Sequence, residues 1–234
     1  MSRRGCLRLS KVLHIVPASK QYADIVMFGV NLIPIHGLAV ISREEDLLLA
    51  KAQADLVSSL LGLKVIVKTV KKADAISFAK SLSELISELS EFDELVMNLG
   101  AADKELSVSA VVVATVLGIK TFNVENGNVS FLPTMGIPLL SIISDEKVII
   151  VETLYDLGGK VSKLETLANK MGISRALLSY HINGSARTPG LVQLGLVGIR
   201  RKGRSSTVEL TDVGKIFALA SKIKKSMKGP QQSV

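Results

Sequence analysis

The chain has 234 residues, one cysteine and a formal net charge of +8, and 47% of its residues are hydrophobic. A single cysteine excludes a disulfide framework and a cysteine-rich zinc site, and the apolar stretches are too short or too interrupted for the roughly 20 residues that span a bilayer. We therefore expect a cytoplasmic globular protein, long enough for one large domain or two modest ones.

The positive charge is concentrated in the C-terminal part of the chain. Residues 1–144 contain 14 Lys+Arg and 14 Asp+Glu, whereas residues 145–234 contain the other 15 of the 29 cations and the other 7 of the 21 anions. A neutral body followed by a basic segment indicates two domains, 1–144 and 145–234, and suggests that the second contacts a polyanion such as double-stranded DNA. A solvated Lys/Arg surface is the alternative that charge alone leaves open.

Apolar strand-like runs alternate with helical patterns through the first 144 residues. The predicted strands are 12–16, 38–41, 63–70, 94–98 and 120–124, and the predicted helices are 21–32, 45–61, 74–89 and 104–117. This alternation predicts an α/β fold with a Rossmann-like, mostly parallel sheet and helices on both faces. His14 and His36 lie in apolar surroundings and are expected in the core.

Two loops of this sheet are candidate binding sites, because ligands bind beyond the carboxyl ends of parallel strands. The loop after the first strand contains Pro17, Ala18, Ser19 and Lys20. It lacks the glycines of a dinucleotide-binding turn. The loop after the fourth strand contains Asn98, Leu99, Gly100, Ala101, Ala102, Asp103 and Lys104.

The fourth-strand loop admits two interpretations. Its glycine, its lysine and the following helix N-terminus suit an anion or a nucleotide. In the structural alternative, Gly100 allows the turn, Asn98 closes it through a bond to backbone, and Asp103 caps the helix. The helix itself, 104–117, has no charged side chain after Glu105. We expect it to be buried on both sides, in the core or against a second subunit of a homodimer.

The last 90 residues have the pattern of a winged helix-turn-helix domain. Predicted helices cover 148–157 and 161–171, Gly172 makes the turn, and Ser174 caps a second helix in which Ile173 and Leu178 are apolar anchors. The residues on its outward face, predicted to enter the major groove, are Ser174, Arg175, Ala176, Ser179, Tyr180 and Asn183.

A short helical segment over 190–194 is predicted next, followed by two strands that form a hairpin, the wing. Its cations, expected to contact phosphate or the minor groove, are Arg200, Arg201, Lys202 and Arg204. Thr211 caps a final helix that ends near residue 225. His181 is interpreted as structural. Because no His/Cys/carboxylate cluster, G-x-S-x-G motif or P-loop occurs, we predict no metal, catalytic residue or cofactor.

The order of these parts resembles the CRISPR-associated Rossmann-fold (CARF) proteins that carry a C-terminal winged helix, a group of mainly archaeal transcriptional regulators. The resemblance is carried by the run HIVP at 14–17, the Asn98 to Lys104 turn with its Ala/Val-rich helix, and the segments LSYHI at 178–182, GLV at 195–197 and LT at 210–211.

The resemblance implies a dimeric, ligand-responsive regulator in antiviral defence that binds a cyclic oligoadenylate, cyclic tetra-adenylate above all, with the loops after strands one and four. Asn98 matches the family's strand-end Asn, and Lys104 matches its loop cation. Gly100, Ala101 and Ala102 stand where the family often has Ser/Thr and Gly. One alternative is a ring nuclease in which Ser19, Lys20 or Lys104 positions the ribose hydroxyl and the phosphate. Another is a winged-helix regulator that senses a different nucleotide or metabolite.

Overall fold

A computed structural model describes residues 10–19, 22, 24–26, 33–89, 91–133, 138–202 and 205–228, with side chains omitted at 201, 202, 205 and 228. Contacts divide the chain into two compact units, one formed mainly by residues up to 134 and one mainly by residues 135–225. The domain limits expected from the charge distribution, 1–144 and 145–234, stay a prediction.

The first unit contains a six-stranded sheet. Its strands are β1 (Val12–Ala18), β2 (Gly37–Arg43), β3 (Lys64–Val70), β4 (Glu94–Asn98), β5 (Lys120–Glu125) and β6 (Asn128–Phe131). They lie in the order β3-β2-β1-β4-β5-β6, and all neighbouring pairs are parallel except β5–β6. The chain reverses its direction across the sheet between β1 and β4, as in a Rossmann-like fold. The predicted α/β class is confirmed.

Three helices flank this sheet in the described part of the unit: α1 (Leu47–Leu61), α2 (Ala75–Glu88) and α3 (Lys104–Leu117). Residues 24–26 are also helical, and the rest of the helix predicted over 21–32 lies outside the described residues. Asp74 caps helix α2, since its side chain accepts a hydrogen bond from the Ser77 amide at 2.8 Å. Most of the apolar side chains of α2 are buried at helical spacing, namely Phe78, Ala79, Leu82, Leu85 and Ile86.

His14 belongs to the core, as predicted. It lies on β1 with no exposed surface, and its ring is edge-on to Phe122 at 6.0 Å between centroids. Burial lowers the pKa of His14 to about 4, because desolvation disfavours the charged ring. The prediction for His36 is wrong. His36 is exposed, and its Nδ1 accepts a hydrogen bond from the Val12 amide at 3.1 Å, so it closes a loop instead of filling the core.

The second unit combines four α-helices, a short 3-10 helix (Leu139–Ile142) and a three-stranded antiparallel sheet in its described residues. The helices are α4 (Asp145–Asp156), α5 (Leu164–Met171), α6 (Arg175–Asn183) and α7 (Asp212–Lys228), and the strands are β7 (Lys160–Val161), β8 (Val197–Lys202) and β9 (Ser205–Leu210). The strand order is β7-β9-β8. Strands β8 and β9 form the predicted hairpin, with Lys202 opposite Ser205.

Three sequence predictions need correction. The helix predicted over 161–171 begins only at Leu164, because Lys160 and Val161 pair with Glu209 and Val208 as strand β7. The antiparallel strand β6 was not predicted, although the Asn126-Gly127 turn before it, with φ of 49° and 76°, is the usual turn of a two-residue hairpin. The predicted helix over 190–194 is a series of turns. Leu191 and Val192 donate backbone hydrogen bonds to His181 and Ile182, which draw this segment back onto α6 and prevent a regular helix.

Candidate functional site

The loop after β4 is built around Asn98 and Gly100. Asn98 is fully buried, and its side-chain oxygen accepts a hydrogen bond from the Gly100 amide at 3.0 Å. A Cβ on Gly100 would lie 2.7 Å from Ile25 Cγ2 and 2.8 Å from the Val124 carbonyl oxygen. Glycine is required here because the backbone passes against its neighbours. Asn98 closes the turn and Gly100 permits it, as the structural alternative predicts, and ligand binding by these two residues stays a prediction.

The two predicted loops meet at Ser19 and Ala101. The Ser19 amide donates to the Ala101 carbonyl at 3.0 Å, and the Ser19 hydroxyl contacts the same oxygen at 3.3 Å. Pro17 and Ala18 lie within β1 and are buried, so the first loop begins at Ser19 and not at Pro17. The pairing of β1 with β2, which continues to Ala18, carries the strand past the proline. Lys20 lies outside the described residues.

The N-terminus of α3 already holds carboxylates. Asp103 accepts a hydrogen bond from the Leu106 amide at 2.9 Å, so it caps α3 as the structural alternative proposed. Its other oxygen pairs with Arg43 at 2.7 Å, and Arg43 also pairs with Glu105 at 2.7 Å. Lys104 is exposed and forms no ion pair with any described residue. Because Asp103 already caps this end of α3, a ligand anion here would contact the side chain of Lys104.

Arg43 was not recognised from the sequence. It is the last residue of β2, and the strand order brings the carboxyl end of β2 near the loop after β4. The available signal was a cation at a strand end, which in a parallel sheet points to the ligand-binding edge. The structure uses it to hold the loop through Asp103 and Glu105.

A cavity of about 370 Å³ opens beside the same loop, between the carboxyl ends of β4 and β5. It is lined by Leu99, Gly100, Ala102, Ser107, Asn123, Val124, Glu125 and Leu132. Glu125 is the charged group among these lining residues. Ser107 in α3 and Asn123 and Glu125 in β5 were not predicted as site residues, because the prediction was confined to the loops after β1 and β4.

Two buried polar groups near this edge have no hydrogen-bond partner among the described residues. They are the side-chain amide nitrogen of Asn98 and the hydroxyl of Ser42, at the ends of β4 and β2. A buried polar group costs free energy when it is unpaired, so each has capacity for a further hydrogen bond.

Helix α3 is not buried on both sides within the chain. Val108 is 59% exposed and Val112 is 39% exposed, one helical turn apart, while Leu106, Ala110 and Val113 are buried. Burial in the core, one of the two environments predicted for α3, is therefore wrong for the side of the helix that carries Val108 and Val112. The reason is that the sheet covers one side of the helix.

In the second unit, α5 and α6 form a helix-turn-helix. Gly172 ends α5 in the left-handed conformation, the Ile173 amide donates to the Ala168 carbonyl at 3.1 Å, and Ser174 caps α6 by accepting from the Leu177 amide at 3.1 Å. Leu178 and Ile182 are fully buried, which fixes the opposite side of α6 outward. Ile173, the other predicted anchor, is half-buried.

The predicted outward residues of α6 lie on one accessible side. Those that are exposed are Ser174, Arg175, Ala176, Tyr180 and Asn183, and Ser179 is half-buried. Arg175 pairs with Glu165 at 2.8 Å. The Asn183 side chain donates to the Ser179 carbonyl at 3.0 Å and lies 3.1 Å from its hydroxyl. Hydrogen bonds with the side chains of Thr188 and Ser185 lower the pKa of Tyr180.

The predicted wing residues are only partly described. Arg200 is exposed and pairs with Glu209 on the adjacent strand. Arg201 and Lys202 are in β8, but their side chains are outside the described part, and Arg204 lies outside it entirely. In the described residues, no group of three or more His, Cys, Asp or Glu is arranged to hold a metal ion. The helices of that same part are each too short or too polar to cross a membrane.

The fold and these sites define an α/β protein with a cavity at the carboxyl edge of a Rossmann-like sheet and a helix-turn-helix in the same chain. No known family profile matches it. An uncharacterized protein of Archaeoglobus fulgidus is 25% identical over 219 residues, which cover 88% of this chain and 96% of that protein.

Solved structures with a related course of the chain include protein VC1899 from Vibrio cholerae, with a TM-score of 0.45 and 10% identity. Another is Can2 from Sulfobacillus thermosulfidooxidans, in complex with cyclic tetra-adenylate, with a TM-score of 0.38 and 8% identity. Each comparison covers 92% of this chain, but this chain spans just under two thirds of those proteins, 66% and 63%.

Proposed function

We propose that this protein is a dimeric DNA-binding transcriptional regulator whose Rossmann-like domain senses a nucleotide, with cyclic tetra-adenylate the favoured effector, in CRISPR-linked antiviral defence. Residues 1–144 would form the sensing and dimerisation domain, and residues 145–234 the winged helix-turn-helix domain. The observation that carries the proposal is the helix-turn-helix, in which Leu178 and Ile182 are buried and the polar side of α6 is exposed.

The DNA-binding part rests on shape and charge. An exposed helix of nine residues capped at Ser174 has the dimensions to enter a major groove. The hairpin β8–β9 carries four cations within residues 200–204, where a wing contacts phosphate. The segment after residue 144 also holds the whole net positive charge of the chain, which favours a polyanionic partner.

The sensing part rests on the cavity and the groups around it. Glu125 in its lining disfavours phosphate inside the cavity, because like charges repel, and suits the hydrogen-bond donors of a nucleoside. Lys104, exposed at the start of α3, would contact a phosphate outside the cavity. The unpaired Asn98 amide supplies a further donor near this edge.

Dimerisation is supported by the exposed apolar side of α3. Val108 and Val112 would be covered by the same helix of a second copy, which repeats the effector loop across a two-fold axis. Sedimentation of Val108→Asp tests this. We expect the variant to sediment as a monomer. The control is Leu48→Asp, a change at a residue of α1 that is 85% exposed, and we expect this variant to remain dimeric.

DNA binding is tested by titrating the protein into a duplex from the region upstream of its own coding sequence at several salt concentrations. Arg201→Ala combined with Arg204→Ala should weaken binding and reduce the salt slope by about two, because each cation that neutralises a phosphate contributes about 0.9. An unchanged affinity and slope would reject the wing as a DNA contact.

The effector is tested by calorimetry with cyclic tetra-adenylate. Wild type should bind, Lys104→Ala should bind about tenfold more weakly through loss of a charge-assisted hydrogen bond, and Lys51→Ala, which removes an exposed cation on α1, should bind as wild type does. Absence of binding to wild type would retire the oligoadenylate and leave other nucleotides to be tried. Adding the ring to the DNA titration then measures the coupling between the two sites.

A further inference from the structure

The loop that follows α6 is a tight, well-braced turn. Gly184 and Pro189 form an isolated antiparallel bridge, and within it the Ser185 amide donates to the Thr188 carbonyl at 2.9 Å. The Ser185 hydroxyl also accepts hydrogen bonds from the amides of Arg187 at 3.3 Å and Thr188 at 3.2 Å. Ala186 and Arg187 are therefore the central residues of a turn whose backbone is fixed at both ends.

Tyr180 joins this loop to the outward side of α6. The side chains of Thr188 and Ser185 lower the pKa of its hydroxyl, so the hydroxyl faces this loop, and its ring stands edge-on to His181 at 5.5 Å between centroids. Tyr180 shares a side of the helix with Ala176 and Asn183, which are both exposed. The loop thus lies beside the same side of α6 that the proposed function directs toward DNA.

Arg187 differs from the other arginines of this unit whose side chains are described. Arg175 pairs with Glu165 and Arg200 pairs with Glu209, so each shares its charge with a carboxylate. Arg187 is exposed and forms no ion pair with any described residue. Because the turn already fixes the backbone at Arg187, binding of an oxyanion orders only the side chain, and the guanidinium fork matches the geometry of phosphate.

Building on the proposed function, we infer that the loop 185–188 is a second DNA-backbone contact, in which Arg187 binds a phosphate that flanks the groove occupied by α6. Tyr180 is then a positioning residue. Its hydroxyl would hold the loop and would not read base edges. The ligand class is the phosphodiester backbone, and the contact adds affinity without sequence preference.

The test compares the full-length protein on two duplexes of equal length, its own upstream region and a scrambled sequence. Arg187→Ala should weaken binding to both by the same factor, on the order of ten, and reduce the salt slope by about one. Arg187→Lys should keep the slope, because it keeps the charge. Lys51→Ala, an equal change of charge on α1, should alter neither quantity.

Tyr180→Phe separates positioning from base recognition. It should lower the affinity for both duplexes alike, and it should cause no additional loss in the Arg187→Ala background, because both changes remove one contact. Circular dichroism of each variant checks that the helices remain folded. If Arg187→Ala keeps the wild-type slope, or if Tyr180→Phe changes the preference between the duplexes, this inference is wrong while the proposed function stands. If wild type binds neither duplex, both fail.

Discussion

The loop after β4 and the helix-turn-helix handle their polar residues in opposite ways. In the loop, Asn98 is fully buried, and its side-chain oxygen accepts a hydrogen bond from the Gly100 amide. Asp103 uses one carboxylate oxygen to cap α3 and the other to pair with Arg43. In the helix-turn-helix, the polar side chains from Ser174 to Asn183 are mostly exposed.

The difference lies in what each region offers a ligand. The polar groups of the loop hold its backbone in place beside the cavity, so changing them alters the fold before it alters binding. The helix places its polar groups on a surface supported from behind by Leu178 and Ile182, so changing them alters binding before it alters the fold. We make four predictions about the two units, in decreasing order of the change in stability that we expect.

The stability of the second unit should be most sensitive to changes at the buried residues behind the exposed side of α6. Leu178→Ala removes a side chain with no exposed surface and should destabilise the second unit by about 3 kcal/mol, the lost transfer energy plus a cavity. Its neighbour Leu177 is 45% exposed, and Leu177→Ala should cost less than about 0.5 kcal/mol. Urea unfolding of both variants measures the contrast, and equal losses would contradict the assigned orientation of α6.

The buried polar groups of the first unit should make its stability depend on pH. His14 has a pKa of about 4 in the folded state against an ordinary value of 6.5, so the unfolded chain binds a proton first as the pH falls. Its contribution is fully present above about pH 6.5 and declines to zero near pH 4, a loss of roughly 3 kcal/mol.

The measurement for His14 is urea unfolding between pH 7.5 and 4, compared with His14→Gln. The variant has no titrating ring, so the difference in slope between the two proteins over this window isolates His14 from other titrating groups. Parallel curves would mean that His14 is not buried as a neutral ring.

The packing of the loop after β4 should depend on the absence of a side chain at Gly100. Gly100→Ala places a Cβ 2.8 Å from the Val124 carbonyl oxygen and should destabilise the first unit by about 2 kcal/mol through overpacking. Gly62→Ala is the matched control, since its φ is 63° with open space around it, and it should cost only about 1 kcal/mol of backbone strain. Thermal unfolding ranks the two, and a reversed order would rule out close packing at Gly100.

The cap of the displayed helix should give the smallest of these effects. Ser174→Ala removes the acceptor for the Leu177 amide and should cost about 1 kcal/mol, whereas Ser174→Asp retains a cap and should cost little. Chemical unfolding measures both. Comparable losses in the two variants would show that the hydroxyl acts in some way other than as a cap.

Much of the fold could be predicted because it depends on local patterns. Strand β4 and helix α3 have the predicted bounds, and the anchors Leu178 and Ile182 are buried, since helical spacing alone puts them on one side. The extent of β1 could not be predicted, because its pairing with β2 carries it through Pro17. His36 was placed wrongly because apolar neighbours in sequence do not establish burial in space.

The same contrast between local patterns and long-range packing applies to the candidate sites. Local sequence patterns were sufficient to predict the α/β alternation, the helix-turn-helix spacing and the special turn after β4, because periodicity, glycine and capping residues act within a few positions of one another. The pairing of Arg43 with Asp103 and the cavity lining of Asn123 and Glu125 became visible only in the folded structure. Those contacts depend on strand order and on how the loop folds back, which follow from long-range packing and leave no local pattern in the chain.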